Sequence, residues 1–150
     1  MQDNYRNIYY NARQTAGLTQ ERWAELLGIS TEAVRLYEGG VNRPSDEIVL
    51  NMAAASGQQI LCWWHLLQKS RIAEEILPPV ERLPLARAVV QLLSRMRDFD
   101  RLHRDDELLR IAEDGAVDPE ELPQFKAIVR DLHGIVQAAL QVDYAEKEEP

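Results

Sequence analysis

Few residues in this chain are of types that could do chemistry, and most of them are badly spaced for it. His65, His103 and His133 are scattered, and Cys62 is the single cysteine, so no pair has the spacing of a zinc site. A Ser, a His and an Asp can be drawn together in almost any chain of this length, and no motif supports a nucleophilic triad. The run "DGAVDPEE" (114–121) echoes the second half of a calcium loop. With Gly115 as the loop glycine, however, the first and third ligand positions fall on Arg110 and Ala112, which cannot serve. A helix end at Gly115 followed by a new start at Asp118-Pro119 accounts for the run better. Trp63 and Trp64 read as core or interface, with a small-molecule pocket as the lesser alternative. The run "ISTEAVRLYEGG" (29–40) reads instead as a short capped helix that carries one Arg and two Glu. A hydroxyl donates and accepts, a carboxylate only accepts, and a guanidinium donates a fixed fork of bonds. That is chemistry of recognition, and no metal, cofactor or catalytic activity is expected.

The elements that must position these groups read as helices throughout, since helical spacing is common and strict alternation is rare. Residues 4–16 form the first helix, with Ile8, Tyr9, Ala12 and Ala16 inward and Gly17 at its end. Thr19 caps a second helix to Leu27, with Trp23, Ala24 and Leu27 on its inner face. Ser30 caps a third, with Val34 and Tyr37 inward, and Gly39-Gly40 stops it. Ser45 caps a fourth, with Asp46 and Glu47 in the first turn where the helix dipole favours acids, and Gly57 closes it. A fifth is expected from about Gln58 to Ile76. Pro78-Pro79 marks a domain boundary. Beyond it, a long helix from about Pro84 to Glu113 carries a heptad-like stripe of Leu85, Val89, Leu92, Met96, Phe99 and His103. A last helix, about Glu121–Val142, pairs with it. The expected fold is all-α, a five-helix unit (1–77) followed by a C-terminal helical hairpin (78–150).

Composition narrows the partners. Apolar residues make up 45% of the 150, enough for a core, and the formal net charge is −8. Residues 1–60 hold five basic and seven acidic side chains, so they are nearly balanced, while the remainder is more acidic. Bulk charge therefore cannot hold a polyanion, and any phosphate contact must come from a small local patch. With one cysteine, no signal-like N-terminus and no long apolar run, a reducing, cytoplasmic setting is expected.

The segment "RQTAGLTQERWAELLGISTEAVRLYEGGVNRP" (13–44) resembles the helix-turn-helix of the Xre family, the Cro and phage-repressor-like regulators. The resemblance covers about residues 5–67 and implies a lambda-repressor-like fold. Each matching residue has a physical role. Ala24 lets the second and third helices cross closely, Gly28 makes the turn between them, and Val34 anchors the third helix ten residues after Ala24. The resemblance places Thr31, Glu32, Arg35 and Leu36 at base edges in the major groove of double-stranded DNA. There Thr31 suits a base or a thymine methyl, Glu32 a cytosine amino group, and Arg35 a guanine or a phosphate. It also places Gln20, Asn42 and Arg43 on the phosphate backbone, and pairs Arg13 with Glu38 as a structural ion pair. Leu36 stands where the family usually has a polar or basic side chain, and Trp23 is bulkier than the usual leucine.

The function implied is sequence-specific DNA binding by a transcriptional regulator, a repressor acting as a homodimer on a near-palindromic operator. The stripe on 85–103 would supply a shared bundle between two chains. The acidic balance and Leu36 motivate an alternative in which the same scaffold binds protein. An antitoxin that holds a protein partner through its acidic C-terminal half is the hybrid case.

Overall fold

The computed structural model describes residues 7–147. The chain divides between Leu77 and Pro78 into two compact units. Among the described residues all regular structure is helical: α1 (Ile8–Thr15), α2 (Gln20–Leu27), α3 (Thr31–Glu38), α4 (Asp46–Ser56), α5 (Ile60–Lys69) and α6 (Arg71–Ile76) in the first unit, then α7 (Leu85–Arg101), α8 (Arg104–Ala112) and α9 (Leu122–Asp143) in the second. No helix among the described residues is long and apolar enough to cross a membrane.

Local sequence explains the helix starts of the first unit. Asn7, Thr19, Ser30 and Ser45 each turn a side-chain oxygen onto a backbone N–H of the first turn of α1 to α4. Such caps contribute about 1 kcal/mol apiece by satisfying donors the helix leaves orphaned. Residue 4, where the first helix was expected to begin, lies outside the described residues. The expected fifth helix is two. Ser70 takes an extended conformation and its hydroxyl accepts from the Ala73 N–H, ending α5 and starting α6 in one residue. Continuous apolar spacing across the break hid it.

The core of this unit gathers Ile8, Tyr9 and Ala12 from α1, Trp23, Ala24 and Leu27 from α2, Val34 from α3, Val49 and Met52 from α4, and Leu61 from α5. Full burial of a large apolar side chain contributes about 1.5–3 kcal/mol. Trp23 is wholly buried, and its indole N–H finds no acceptor among the described residues. The bulk of Trp23 thus brings an orphaned donor into the core. Gln58 is also buried, and its amide donates to the Ala12 carbonyl at 2.9 Å, tying the end of α4 to α1.

In the second unit α7 and α9 are the long arms, packed where Ala88, Ile128 and Ala138 are almost fully buried. The expected single helix over 84–113 is broken. His103 sits in the left-handed region at φ 52°, and the chain restarts as α8. That conformation costs a non-glycine residue about 1–2 kcal/mol. Asp105, Asp106 and Glu107 fill the first turn of α8, where acids favour a helix start. The stripe therefore ends one residue short, and His103 belongs to the corner between helices. Arg104 binds α8 to α9, with Nε 3.1 Å from Asp131 and Nη1 3.0 Å from Glu107. The end of the described chain is fastened to the start of α7: the Glu146 N–H donates to the Leu83 carbonyl and the Leu85 N–H to the Glu146 carbonyl. In the turn before α9, Asp114 accepts from the Ala116 N–H and Glu121 from the Asp118 N–H, so both acids serve the turn.

Candidate nucleic-acid interface

The α2–α3 corner is built by three residues. Gly28 adopts φ 65°, ψ 30° as the cap of α2, a conformation cheap only for glycine. The Gly28 and Ile29 N–H groups return to the Glu25 and Ala24 carbonyls, closing the helix end. Ala24, 3% exposed, lets α3 approach, and Val34, 1% exposed, fixes the rotation of α3 about its axis. With Val34 inward, Glu32 and Arg35 stand on the exposed side, and Thr31 and Leu36 are half-buried at its margins. Arg35 Nη1 lies 3.6 Å from Glu32 Oε2, one turn away, so in the free protein each partly neutralises the other.

The loop after α3 is pinned back onto it. The Val41 and Asn42 N–H groups both donate to the Leu36 carbonyl, at 3.0 and 3.2 Å. Asn42 and Arg43 are thereby presented at the surface beside α3, with Pro44 buried behind them. Arg43 forms no salt bridge among the described residues, which leaves its charge available.

Behind α3, Arg13 and Glu38 meet with side chains 7% and 5% exposed. Arg13 Nε and Nη2 donate to the two Glu38 oxygens at 2.5 and 3.0 Å, and Nη1 donates to the Leu18 carbonyl at 2.7 Å. The hydrogen bond to Glu38 raises the Arg13 pKa against the opposing effect of burial. Gln20 joins this group, its amide nitrogen donating to Glu38 Oε2 at 2.9 Å. A carboxamide nitrogen carries two hydrogens. One is committed to Glu38, so the Gln20 amide has a fixed orientation and one N–H remains for an external acceptor.

Sequence reasoning missed a second polar cluster. Tyr9 Oη lies 2.7 Å from His65 Nδ1, and His65 Nε2 lies 3.0 Å from Asp46 Oδ1, which also takes Lys69 Nζ at 2.6 Å. The Lys69 ammonium, and after it the His65 ring, hold the Asp46 carboxyl below its usual pKa. His65 and Lys69 stand four apart on α5, a spacing visible in the sequence, but the partners on α1 and α4 are 56 and 19 positions from His65. Cys62 and Trp64 pack against the core as partly buried groups, and burial pushes the Cys62 thiol up, away from reactivity.

Residues 10–57 match the family model described as helix-turn-helix. The comparisons with curated proteins and with solved structures gave no match. The N-terminal part of the chain is a helix-turn-helix domain of the Xre and Cro type, and its matched span holds the α2–α3 corner, the exposed face of α3 and the loop at 41–44. This is the domain of DNA-binding transcription regulators.

Proposed function

We propose that the chain represses transcription as a homodimer on a near-palindromic operator, with residues 1–77 binding DNA and residues 78–150 joining the two chains or receiving a protein partner. The observation that carries this reading is the rotation of α3: burying Val34 turns Glu32 and Arg35 outward on one side, next to a loop that offers Asn42 and Arg43. Thr31, Glu32, Arg35 and Leu36 then face base edges. Glu32 accepts from a cytosine amino group, Arg35 donates to a guanine, and Leu36 contributes apolar contact such as a thymine methyl offers. Gln20, Asn42 and Arg43 set the register on phosphate without reading sequence. For a net charge of −8, so few cationic contacts imply a modest salt dependence set by this patch alone. On α7, Leu85, Val90, Leu93 and Met96 are 40–67% exposed, which supports a second chain against that helix.

Hydroxyl-radical footprinting on an enriched duplex, with the stoichiometry measured alongside, tests the reading. Two protected tracts about one helical turn apart, at two chains per duplex, are expected. A single tract at one chain per duplex removes the dimer, and absence of protection removes DNA as the partner.

A further inference from the structure

Beneath the 40–43 loop lies a polar chain, buried at Tyr9 and His65 and open to solvent at Asp46, that DNA binding has not so far involved. Asp46 is ionised and can only accept, so in neutral His65 the proton sits on Nε2, facing it. Nδ1 is then an acceptor, and the Tyr9 hydroxyl must donate to it. The His65 side chain is only 5% exposed, so both ring nitrogens depend on these partners. A cavity of about 260 Å³ opens beside this chain, lined by Asn7, Tyr9, Val41, Asn42, Arg43 and Gln68. Asn7 is committed elsewhere: its side-chain oxygen accepts from the Tyr9 N–H and its nitrogen donates to the Tyr37 carbonyl. Arg43 brings the cavity a cation, and its charge acts on the Tyr9 hydroxyl.

We propose that this cavity seats a phosphate oxygen of the DNA backbone, and that the Tyr9 hydroxyl turns to donate to it when His65 takes up a proton. The proposal rests on the DNA-binding reading and adds proton uptake to it. A proton from solvent adds to Nδ1. The Tyr9–His65 hydrogen bond reverses, Nδ1–H now donating to Oη, and the hydroxyl hydrogen released from Nδ1 swings into the cavity. No other bond changes. Asp46 from α4 faces Nε2 and is shared with Lys69 on α5, and Arg43 faces Tyr9. A seated phosphate offsets the two cations and accepts the freed hydroxyl. Phosphate and proton therefore favour each other, and linkage makes the effect reciprocal.

The experiment follows the His65 ring nitrogens by NMR in the full-length protein between about pH 5 and 8, where an imidazole ordinarily titrates. The titration is run alone, with duplex DNA and with inorganic phosphate, and DNA affinity is measured at each pH for the wild type and Tyr9→Phe. Expected are a His65 titration displaced to higher pH by DNA, and a wild-type affinity that rises by up to about tenfold for each unit the pH falls. Tyr9→Phe should flatten that slope. Should the variant fail to fold, the wild-type ring titration decides alone. DNA binding with no displacement of the His65 titration overturns the seat and leaves the DNA reading standing. Displacement by inorganic phosphate in a protein that binds no DNA overturns the DNA source together with the functional reading.

Discussion

Replacing Arg13 by methionine removes a guanidinium while keeping most of its apolar stem. The variant leaves Glu38, whose side chain is 5% exposed, without the two charge-assisted bonds from Nε and Nη2, and leaves the Leu18 carbonyl without Nη1. Breaking a buried pair on one side costs about 3–5 kcal/mol, because the remaining charge stays desolvated. Gln20 keeps its bond to Glu38 at 2.9 Å, which places the expected cost near the lower end, about 3 kcal/mol. All three tryptophans, Trp23, Trp63 and Trp64, lie in the first unit, so their fluorescence in urea reports on that unit alone. With a urea dependence of about 1 kcal/mol/M for a unit this small, the midpoint should fall by about 3 M. Arg13→Met combined with Glu38→Leu should recover much of the loss, because an apolar pair of similar bulk carries no stranded charge. A loss below about 1 kcal/mol in the single variant, the range of exposed pairs, refutes the argument that burial makes this pair structurally necessary.

Other consequences can be measured on the same protein. Arg43→Ala should weaken binding on all DNA sequences alike and reduce the salt slope by about one; altered base preference would show that Arg43 reads sequence. Glu32→Ala should relax preference at one C·G pair in the selected site, and an unchanged site profile removes Glu32 from the readout. Trp23→Phe should destabilise less than Trp23→Ala, which by area and cavity costs about 3–5 kcal/mol, because phenylalanine also removes the orphaned indole N–H; equal losses in urea would show that the N–H is satisfied in solution. The Asp46 pKa is lowered in the folded protein by Lys69 and then His65, so its contribution is present above the unfolded value of 3.8 and is lost as pH falls through the folded value. Asp46→Asn should therefore flatten the acid limb of the stability profile, and an unaltered acid limb would exclude Asp46 from it.

The start and stop residues of α2, α3 and α4 were legible because their causes are local: a hydroxyl one residue before each helix, and Gly28 and Gly57 where the backbone turns left-handed. The two helix breaks were hidden by apolar spacing that continues across them. Ser70 and the acids at 105–107 carried the signal in each case, as a cap and as a charged first turn. The placement of α3 against α2 was legible through Ala24, Gly28 and Val34, whose jobs depend on size and backbone freedom. The Tyr9–His65–Asp46 chain was not, since three helices from distant parts of the sequence must pack before those side chains meet. Nor does the sequence show that Glu38 orients Gln20, a consequence of the α2–α3 packing.

The most direct test of the central claim is selection from a randomised duplex pool at two salt concentrations, with the wild type and a variant carrying Thr31→Ala, Glu32→Ala and Arg35→Ala together. The expected result is a near-palindrome enriched by the wild type, with affinity that falls as salt rises, and loss of that enrichment in the variant with residual non-specific binding retained. No enrichment by the wild type even at low salt would contradict the account and make the exposed face of α3 a scaffold surface for a different partner.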